Sequence, residues 1–320
     1  IDGKKIGRQE SLCTPHIYDL NEYIGTGIHE MTICVSNVGY KTKGGHLTSP
    51  DTQTNWNGIT GRIELIGYKN AHAENVMLWC DIHNKTVRVT ANITGGKSGK
   101  AVISAESFNS EKNHTPAVQS FEYKDGKLDA LYKMGDDCLL WSEHEPNLYK
   151  LRIDIDGDMS EHIIGMREFN TEGGKFTING EKTFLRGKHD GMIFPKTAFA
   201  PTDLEEWLRI MKISKSYGMN HYRYHTCCPP ESAFIAADML GIYMEPQLPF
   251  WGTITEEGEE NHNQEEQDFL VEEGFNMLKF FGNHPSYCMM SMGNELWGSK
   301  KILNDIIGGY KKFDNRHLYT

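Results

Sequence analysis

The chain has 320 residues, of which 38% are hydrophobic and 24% charged, which is enough for two or three globular domains with buried cores. A formal net charge of −11 excludes nucleic acid and anionic membrane as main partners, because those surfaces require clustered Lys and Arg. The seven cysteines lack metal-type spacing and favour neither a disulfide framework nor a zinc site. We therefore expect no cofactor, no metal and a neutral or modestly charged ligand.

Targeting and membrane signals are missing from the sequence. No run approaches the roughly 18 apolar residues that a membrane span requires, and no signal-peptide pattern is present. The chain begins with Ile1, in a segment that already resembles a hairpin, so we expect a piece of a longer parent. The sequence leaves the compartment of that parent open between periplasmic, secreted and cytoplasmic, and it permits a homo-oligomer.

Residues 1–65 are rich in Gly and Asn and contain one clearly alternating segment. In residues 29–36, the side chains of Met31, Ile33 and Val35 share one face, which predicts a strand. This is too little for a self-sufficient domain. We interpret residues 1–65 as the last strands of a β-sandwich.

Residues 66–168 also show a period of two. Val87, Val89, Ala91 and Ile93 alternate with polar residues, as do the apolar residues of segment 151–155. Strands of this kind at roughly 10-residue spacing, with turn residues between them, predict an immunoglobulin-like β-sandwich of about 100 residues.

From residue 169 onward, apolar strands alternate with amphipathic helices. A capping box at Thr202–Glu205 opens the first helix, which Gly218 ends. The predicted strands are 183–187, 219–225, 242–248, 287–292 and the start of a fifth at 317–319; the later helices are 230–240, 265–281 and one on Ile302 to Tyr310. Repeated βα units imply a parallel sheet, here the first half of a (β/α)8 TIM barrel. A doubly wound sheet is the rival, although no Gly-rich nucleotide loop follows any strand.

Polar and aromatic residues lie at, or just after, the carboxyl ends of the predicted strands, where a parallel barrel has its mouth. They are His189, Asp190, Arg223, His225, Glu245, Gln247, Trp251, Asn294, Glu295 and Trp297. Aromatic faces stack on pyranose rings, and amides and charged groups bind hydroxyls, so this mixture is typical of a sugar site. The alternative is structural, with the histidines and Arg223 satisfying buried polar groups and Trp251 lying in the core.

Several motifs carry a specific resemblance. Residues 283–286 (Asn-His-Pro-Ser) and 292–295 (Met-Gly-Asn-Glu) resemble the acid/base signature of glycoside hydrolase family 2, which includes β-galactosidases, β-glucuronidases and β-mannosidases. Residues 55–62, 141–149 and 165–187 resemble, in the same order, the entry to that family's immunoglobulin-like domain, its penultimate strand and its junction with the barrel. The resemblance covers nearly the whole chain, and it implies that the β-sandwich of residues 1–65 is jelly-roll-like and of the sugar-binding type.

The resemblance implies roles for individual residues. Glu295 would be the general acid/base, Asn294 would bind the sugar 2-hydroxyl, and Arg223 would support the carboxylates. The chain departs from the family pattern at Lys188-His189-Asp190 and at Gln247, where an acidic residue is frequent, so Glu245 and Gln247 have only weakly supported roles. The family's nucleophile Glu follows the seventh strand, whereas this chain reaches only the fifth. The resemblance thus implies a retaining exo-β-glycosidase, best matched to β-galactosides, whose 320-residue piece has little turnover.

Two other classes of function remain open at this stage. One is a non-catalytic carbohydrate-binding or structural module. The other, weaker, is a metal-dependent hydrolase using His189, Asp190, His221 and His225, whose spacings do not match a zinc site.

Overall fold

The computed structural model describes residues 1–36, 38–52 and 58–320. Within the described part of residues 1–71 it contains no helix or strand, so the strand expected at 29–36 is wrong. Met31, Ile33 and Val35 are 55%, 50% and 45% exposed. Alternation stabilises a strand only where a second surface covers its apolar face, and none of the described residues provides such a surface here. Residues 55–57 of the motif at 55–62 lie outside the described residues, and the assignment of residues 1–65 to a β-sandwich stays a prediction.

The next region is a seven-stranded antiparallel sheet, as the period of two indicates. Its strands are β1 (His72–Asp81), β2 (Thr86–Thr94), β3 (Ser98–Phe108), β4 (Gln119–Lys124), β5 (Lys127–Lys133), β6 (Leu148–Ile155) and β7 (Asp158–Ile164). They pair in the order β1-β2-β5-β4-β3-β6-β7. β4 and β5 are joined only at the Lys124–Lys127 pair beside their turn, and β1 contacts β6 and β7, so the sheet folds over itself into two layers.

The space between these layers is filled by the residues that alternate in the sequence. Val87 and Val89 from β2 and Ile153 and Ile155 from β6 are fully buried, together with Ile103 from β3. The predicted inward faces of β2 and β6 are therefore confirmed.

A three-stranded antiparallel sheet connects this region to the rest of the chain. It consists of β8 (Phe169–Glu172), β9 (Lys175–Ile178) and β10 (Glu181–Thr183). Phe169 and Ile178 pack with Trp141 on one side and with Tyr243 and Met289 on the other. The Trp141 indole donates to the Asp238 carbonyl oxygen at 2.8 Å. This apolar cluster anchors the seven-stranded sheet to the helical region.

Strands and helices alternate after residue 186. The strands are β11 (Gly187–Asp190), β12 (His221–Tyr224), β13 (Tyr243–Glu245), β14 (Trp251–Ile254), β15 (Met289–Met290), β16 (Asn294–Gly298) and β17 (Leu318–Tyr319). The helices are α1 (Leu204–Ser216), α2 (Glu231–Leu240), α3 (Gln264–Phe281) and α4 (Lys300–Phe313). All four helices lie where their apolar periodicity predicts them. Helix α1 begins one residue later than the capping box suggested, because the Asp203 carboxylate, and not Thr202, accepts from the Glu206 N–H.

Five of these strands lie side by side in chain order. β11, β12 and β13 are parallel neighbours, a parallel bridge joins Met244 to Tyr287, and β15 pairs in parallel with β17. One helix crosses over between each successive pair. Tyr222, Tyr224 and Met244 point outward into a core with the helices, so the alternate positions, including Arg223 and Glu245, face the inner side of the sheet. None of the helices in the described part of the chain is long and apolar enough to cross a membrane.

Candidate active site

A second, short parallel ribbon stands at the carboxyl ends of these strands. It pairs β14 with β16, so that Trp251 lies opposite Asn294. The turn into β16 requires Gly293, which has a φ of +132° and whose missing Cβ would lie 2.2 Å from the Phe250 carbonyl oxygen. The Asn294 N–H then donates to that same oxygen at 3.0 Å. The apolar run before Gly293 thus delivers Asn294 and Glu295 to the mouth.

Glu295 is held in an unfavourable backbone conformation. Its φ of +47° lies in the left-handed region, which costs a residue with a side chain about 1–3 kcal/mol. The Trp251 indole N–H donates to Glu295 Oε2 at 3.0 Å. Glu295 is nevertheless exposed, so its carboxyl group is both oriented and accessible to a ligand.

Asn294 is oriented by Arg223. The Arg223 Nη2 donates to Asn294 Oδ1 at 3.0 Å. A guanidinium group has donors only, so this contact fixes the amide oxygen toward Arg223 and leaves the amide nitrogen as a donor on its other side. The structure therefore brings together Glu295, Asn294, Arg223 and Trp251.

The histidines form a row of rings beside this group. The His225 ring lies 4.8 Å from the His189 ring and 5.3 Å from the Trp251 ring. Burial, together with the neighbouring His46, His189 and Arg223, lowers the pKa of His225 to about 4. His225 is therefore neutral at pH 7 and offers one donor and one acceptor, which is what a hydroxyl group needs.

His46 belongs to the same row and was missed from the sequence. Its ring lies 4.7 Å from that of His225, and burial lowers its pKa. The segment that carries it is fixed: the Thr42 hydroxyl donates to the Pro249 carbonyl oxygen, and the His46 N–H donates to the Thr226 hydroxyl. The missing Cβ of Gly44 would lie 2.5 Å from the Trp251 carbonyl oxygen. In the sequence, only the Gly44-Gly45 pair indicated that the backbone beside His46 approaches another segment closely.

Two predicted residues stand apart from this arrangement. The buried carboxylate of Asp190 accepts from Lys188 Nζ at 2.9 Å and from the Met192 N–H at 2.7 Å, on the opposite side of β11 from His189. Its geometry is that of a structural group. Trp297, two residues after Glu295, is 72% exposed, and its contact with a ligand stays a prediction.

Gln247 supports the mouth from below. It is fully buried, and its Oε1 accepts from the Thr226 N–H at 2.8 Å, which stabilises the positive φ of Thr226. Among residues 1–36, 38–52 and 58–320, no group of three or more His, Cys, Asp or Glu side chains is arranged to hold a metal ion. His221, which the metal-hydrolase alternative required, is instead 3.4 Å from Glu245 Oε2.

Comparisons with known proteins agree with the resemblance predicted from the motifs. No family model matches the chain. A β-galactosidase of Halalkalibacterium halodurans is 24% identical over 95% of this chain and 31% of its own length. A putative β-glucuronidase of Formosa agariphila is 25% identical over 93% of this chain and 36% of its own length.

A solved structure is also similar to this chain over part of its length. A glycosyl hydrolase family 2 member from Bacteroides cellulosilyticus superposes with a TM-score of 0.61 and 20% identity, covering 78% of this chain and 35% of its own. The chain therefore spans about a third of the length of these relatives and resembles part of the glycoside hydrolase family 2 fold. The predicted resemblance to glycoside hydrolases is confirmed.

Proposed function

We propose that this chain is part of a retaining exo-β-glycosidase that hydrolyses terminal β-linked sugars, with β-galactosides as substrates. The observation that carries the proposal is the position of Glu295, exposed and oriented by the Trp251 indole beside the Asn294–Arg223 pair. Catalytic groups of barrel enzymes lie at this end of the parallel strands. We choose β-galactosides as the substrates because several relatives are β-galactosidases.

The domain organisation that goes with this function is also a proposal. It assigns residues 1–65 to the end of a sugar-binding-type β-sandwich, residues 66–168 to an immunoglobulin-like sandwich and residues 169–320 to the first half of a TIM barrel. Five parallel strands in chain order support the last assignment. Among the described residues, β11 and β17 each have one parallel neighbour, so both edges are open to the strands that would close a barrel.

The mechanism assigns Glu295 two successive tasks. As general acid it donates a proton to the leaving oxygen, and as general base it then takes a proton from the water that hydrolyses the glycosyl-enzyme. The nucleophile of a retaining enzyme lies about 5 Å from the acid/base. We place this nucleophile, a Glu, outside these 320 residues, so the chain alone should have little turnover.

The other residues bind and orient the sugar. The N–H of the Asn294 amide would donate to the 2-hydroxyl, a bond that strengthens in the transition state. The Trp251 ring, 45% exposed, would stack on the pyranose. The rings of His46, His189 and His225 would bind further hydroxyl groups. An uncharged pyranose fits the neutral imidazole of His225, which is a second reason to prefer a galactoside to a uronide.

The test is hydrolysis of aryl β-galactoside, β-glucuronide, β-mannoside and β-glucoside by this chain and by its full-length parent. In the parent, Glu295→Gln should lower the rate by about 10²- to 10⁴-fold with poorly activated leaving groups, because general acid catalysis contributes that much. Exposed Glu257, on the connection between β14 and α3, provides the matched control Glu257→Gln, which should leave the rate unchanged.

Three outcomes decide between the candidates. Loss of rate with retained sugar affinity supports the acid/base role. Loss of affinity alone, in a parent without turnover on any substrate, would indicate a non-catalytic carbohydrate-binding module. Turnover by the isolated chain that Glu295→Gln abolishes would mean that the second carboxylate lies within these residues, and the half-barrel assignment would fail.

A further inference from the structure

We propose that Glu245 is a positioning residue, whose carboxylate holds the Arg223 guanidinium against Asn294 and so sets the direction in which the Asn294 amide N–H points. This inference rests on the proposed glycosidase function and concerns the same site. Neither the motifs nor the relatives assign a role to Glu245.

The two side chains face each other across adjacent parallel strands. Arg223 of β12 is in register with Glu245 of β13, and both lie on the inner side of the sheet. Arg223 Nε is 4.0 Å from Glu245 Oε1, and His221 Nε2 is 3.4 Å from Glu245 Oε2. The Glu245 side chain is only 12% exposed. A carboxylate so far removed from water requires a charged partner, and the Arg223 guanidinium provides it as an ion pair that is too long for a hydrogen bond. The His221 ring lies beside the carboxylate, but its Nε2 makes no hydrogen bond with any described residue.

Arg223 is thus held at two points. Its Nε edge faces Glu245, and its Nη2 donates to Asn294 Oδ1. Both contacts lie along the same edge of the guanidinium, and because the group is planar and rigid they determine its orientation. Without the negative charge of Glu245, the Arg223 side chain, which is 33% exposed, could turn toward water. Asn294 would then lose the partner that distinguishes its oxygen from its nitrogen.

In this arrangement Glu245 affects only the orientation of Arg223 and, through it, of the Asn294 amide. Glu245 contributes no proton and touches no reacting atom in this arrangement, whereas Glu295 lies on the separate β14–β16 ribbon. A misdirected Asn294 would weaken a bond to the sugar that forms fully only in the transition state. Loss of Glu245 should therefore lower kcat more than it raises KM.

The experiment is a double-mutant cycle in the full-length parent with an aryl β-galactoside. Glu245→Gln, nearly the same size but uncharged, should lower kcat about 10- to 100-fold and change KM less than about threefold, since small displacements of an aligned group cost up to this much. Arg223→Lys should have a similar effect, because an ammonium group cannot span both partners. Glu257→Gln serves again as the control, with unchanged kcat and KM.

The cycle separates positioning from a merely structural role. If Glu245 acts through Arg223, Glu245→Gln in the Arg223→Lys background should lower kcat less than about twofold further. An equal loss in both backgrounds, or no loss in either, overturns the proposal. If Glu245→Gln does not fold, Glu245→Asp, which keeps the charge on a shorter stem, takes its place in the same cycle with the same criteria.

Failure of this inference is distinguishable from failure of the proposed function. Glu295→Ala should be rescued by azide with an activated aryl galactoside, because a small anion attacks the glycosyl-enzyme without a general base. The Glu245 variants should not be rescued. Normal activity in the Glu295 variants would refute the proposed function. Rescue of Glu295→Ala by azide, together with unchanged activity in the Glu245 variants, would refute only the positioning role of Glu245.

Discussion

The antiparallel sheet of residues 72–164 and the parallel region of residues 187–298 differ in what they bury. In the first, the buried polar side chains are Thr86 and Glu143. The second buries many more, at and below the mouth: Asp190, Ser214, Asn220, His221, His225, Thr226, Asp238, Gln247, Thr255, Gln267, Glu273, Ser286 and Ser291. Each buried polar group costs free energy unless it is paired, so the parallel region depends on specific hydrogen bonds where the sheet depends on packing.

The two regions also differ in backbone strain. In the sheet, the residues with a side chain and a positive φ are Asn75, Lys85, Asn109, Asp125 and Asp156, mostly of the types that tolerate this conformation in turns. In the parallel region they are Met192, Ala198, Thr226, Asn261 and Glu295, mostly of types that do not. Strain of this kind persists where the surrounding structure enforces it and is concentrated at functional sites. Thr226 and Glu295 both lie at the mouth.

The comparison predicts that packing changes in the sheet have the largest effect on stability. Ile153→Ala removes a fully buried side chain from the core between the two layers. It should lower the free energy of unfolding by about 2–5 kcal/mol, measured by urea denaturation. Sugar affinity of the folded fraction should not change, because the core lies in the other region.

Val102→Ala is the matched control for this substitution. Val102 lies next to Ile103 on β3, but its side chain is 39% exposed on the outer face. It should change stability by about 0.5 kcal/mol or less. Equal losses for Ile153→Ala and Val102→Ala would contradict the assignment of the sheet core.

The sequence predicts the sheet better than it predicts the mouth, for a physical reason. Burial in the sheet follows strict alternation, so Val87, Val89 and Ile153 reveal their inward faces. The four helices are equally readable from their apolar faces and caps. The strand predicted at 29–36 is wrong because alternation alone does not indicate whether another part of the protein covers the apolar face.

The mouth depends on contacts between residues far apart in the chain. Glu295, Asn294 and Arg223 lie at or just after the carboxyl ends of predicted strands, so their convergence could be expected from topology alone. His46 comes from a segment without secondary structure, and only the approach of Gly44 and Gly45 to the chain at Pro249 and Trp251 brings it there. The role of Glu245 depends on a register, Arg223 opposite Glu245, that sequence spacing does not determine.

The histidines sharpen the comparison, because each region contains one with a lowered pKa. Burial lowers the pKa of His162 on β7, and that of His225 at the mouth, each to about 4 from 6.5. Between these values the unfolded chain binds more protons than the folded one. The contribution of these two histidines to stability should therefore fall as the pH decreases from 6.5 to about 4, and it should change little further below that pH.

Urea denaturation across this pH range checks the expectation. His162→Gln and His225→Gln should each remove part of the acid-induced loss of stability. NMR titration of the imidazole protons separates the two sites, since galactose should shift the His225 signal and leave that of His162 in place. A shift at both positions would contradict the assignment of the sugar site to the mouth alone.

The smallest expected effect concerns the strain itself. Ala198 has a φ of +64° and an exposed side chain, so Ala198→Gly relieves the left-handed conformation without removing buried contacts. It should raise the free energy of unfolding by up to about 1 kcal/mol, because the relieved strain exceeds the entropy that glycine adds to the unfolded chain. Ala117→Gly, at an exposed alanine of the sheet region outside the positive-φ set, should instead lower it by about 0.5–1 kcal/mol. Opposite signs, measured by thermal denaturation, would establish that strain differs between the two regions; the same sign for both would show that the backbone at Ala198 is relaxed.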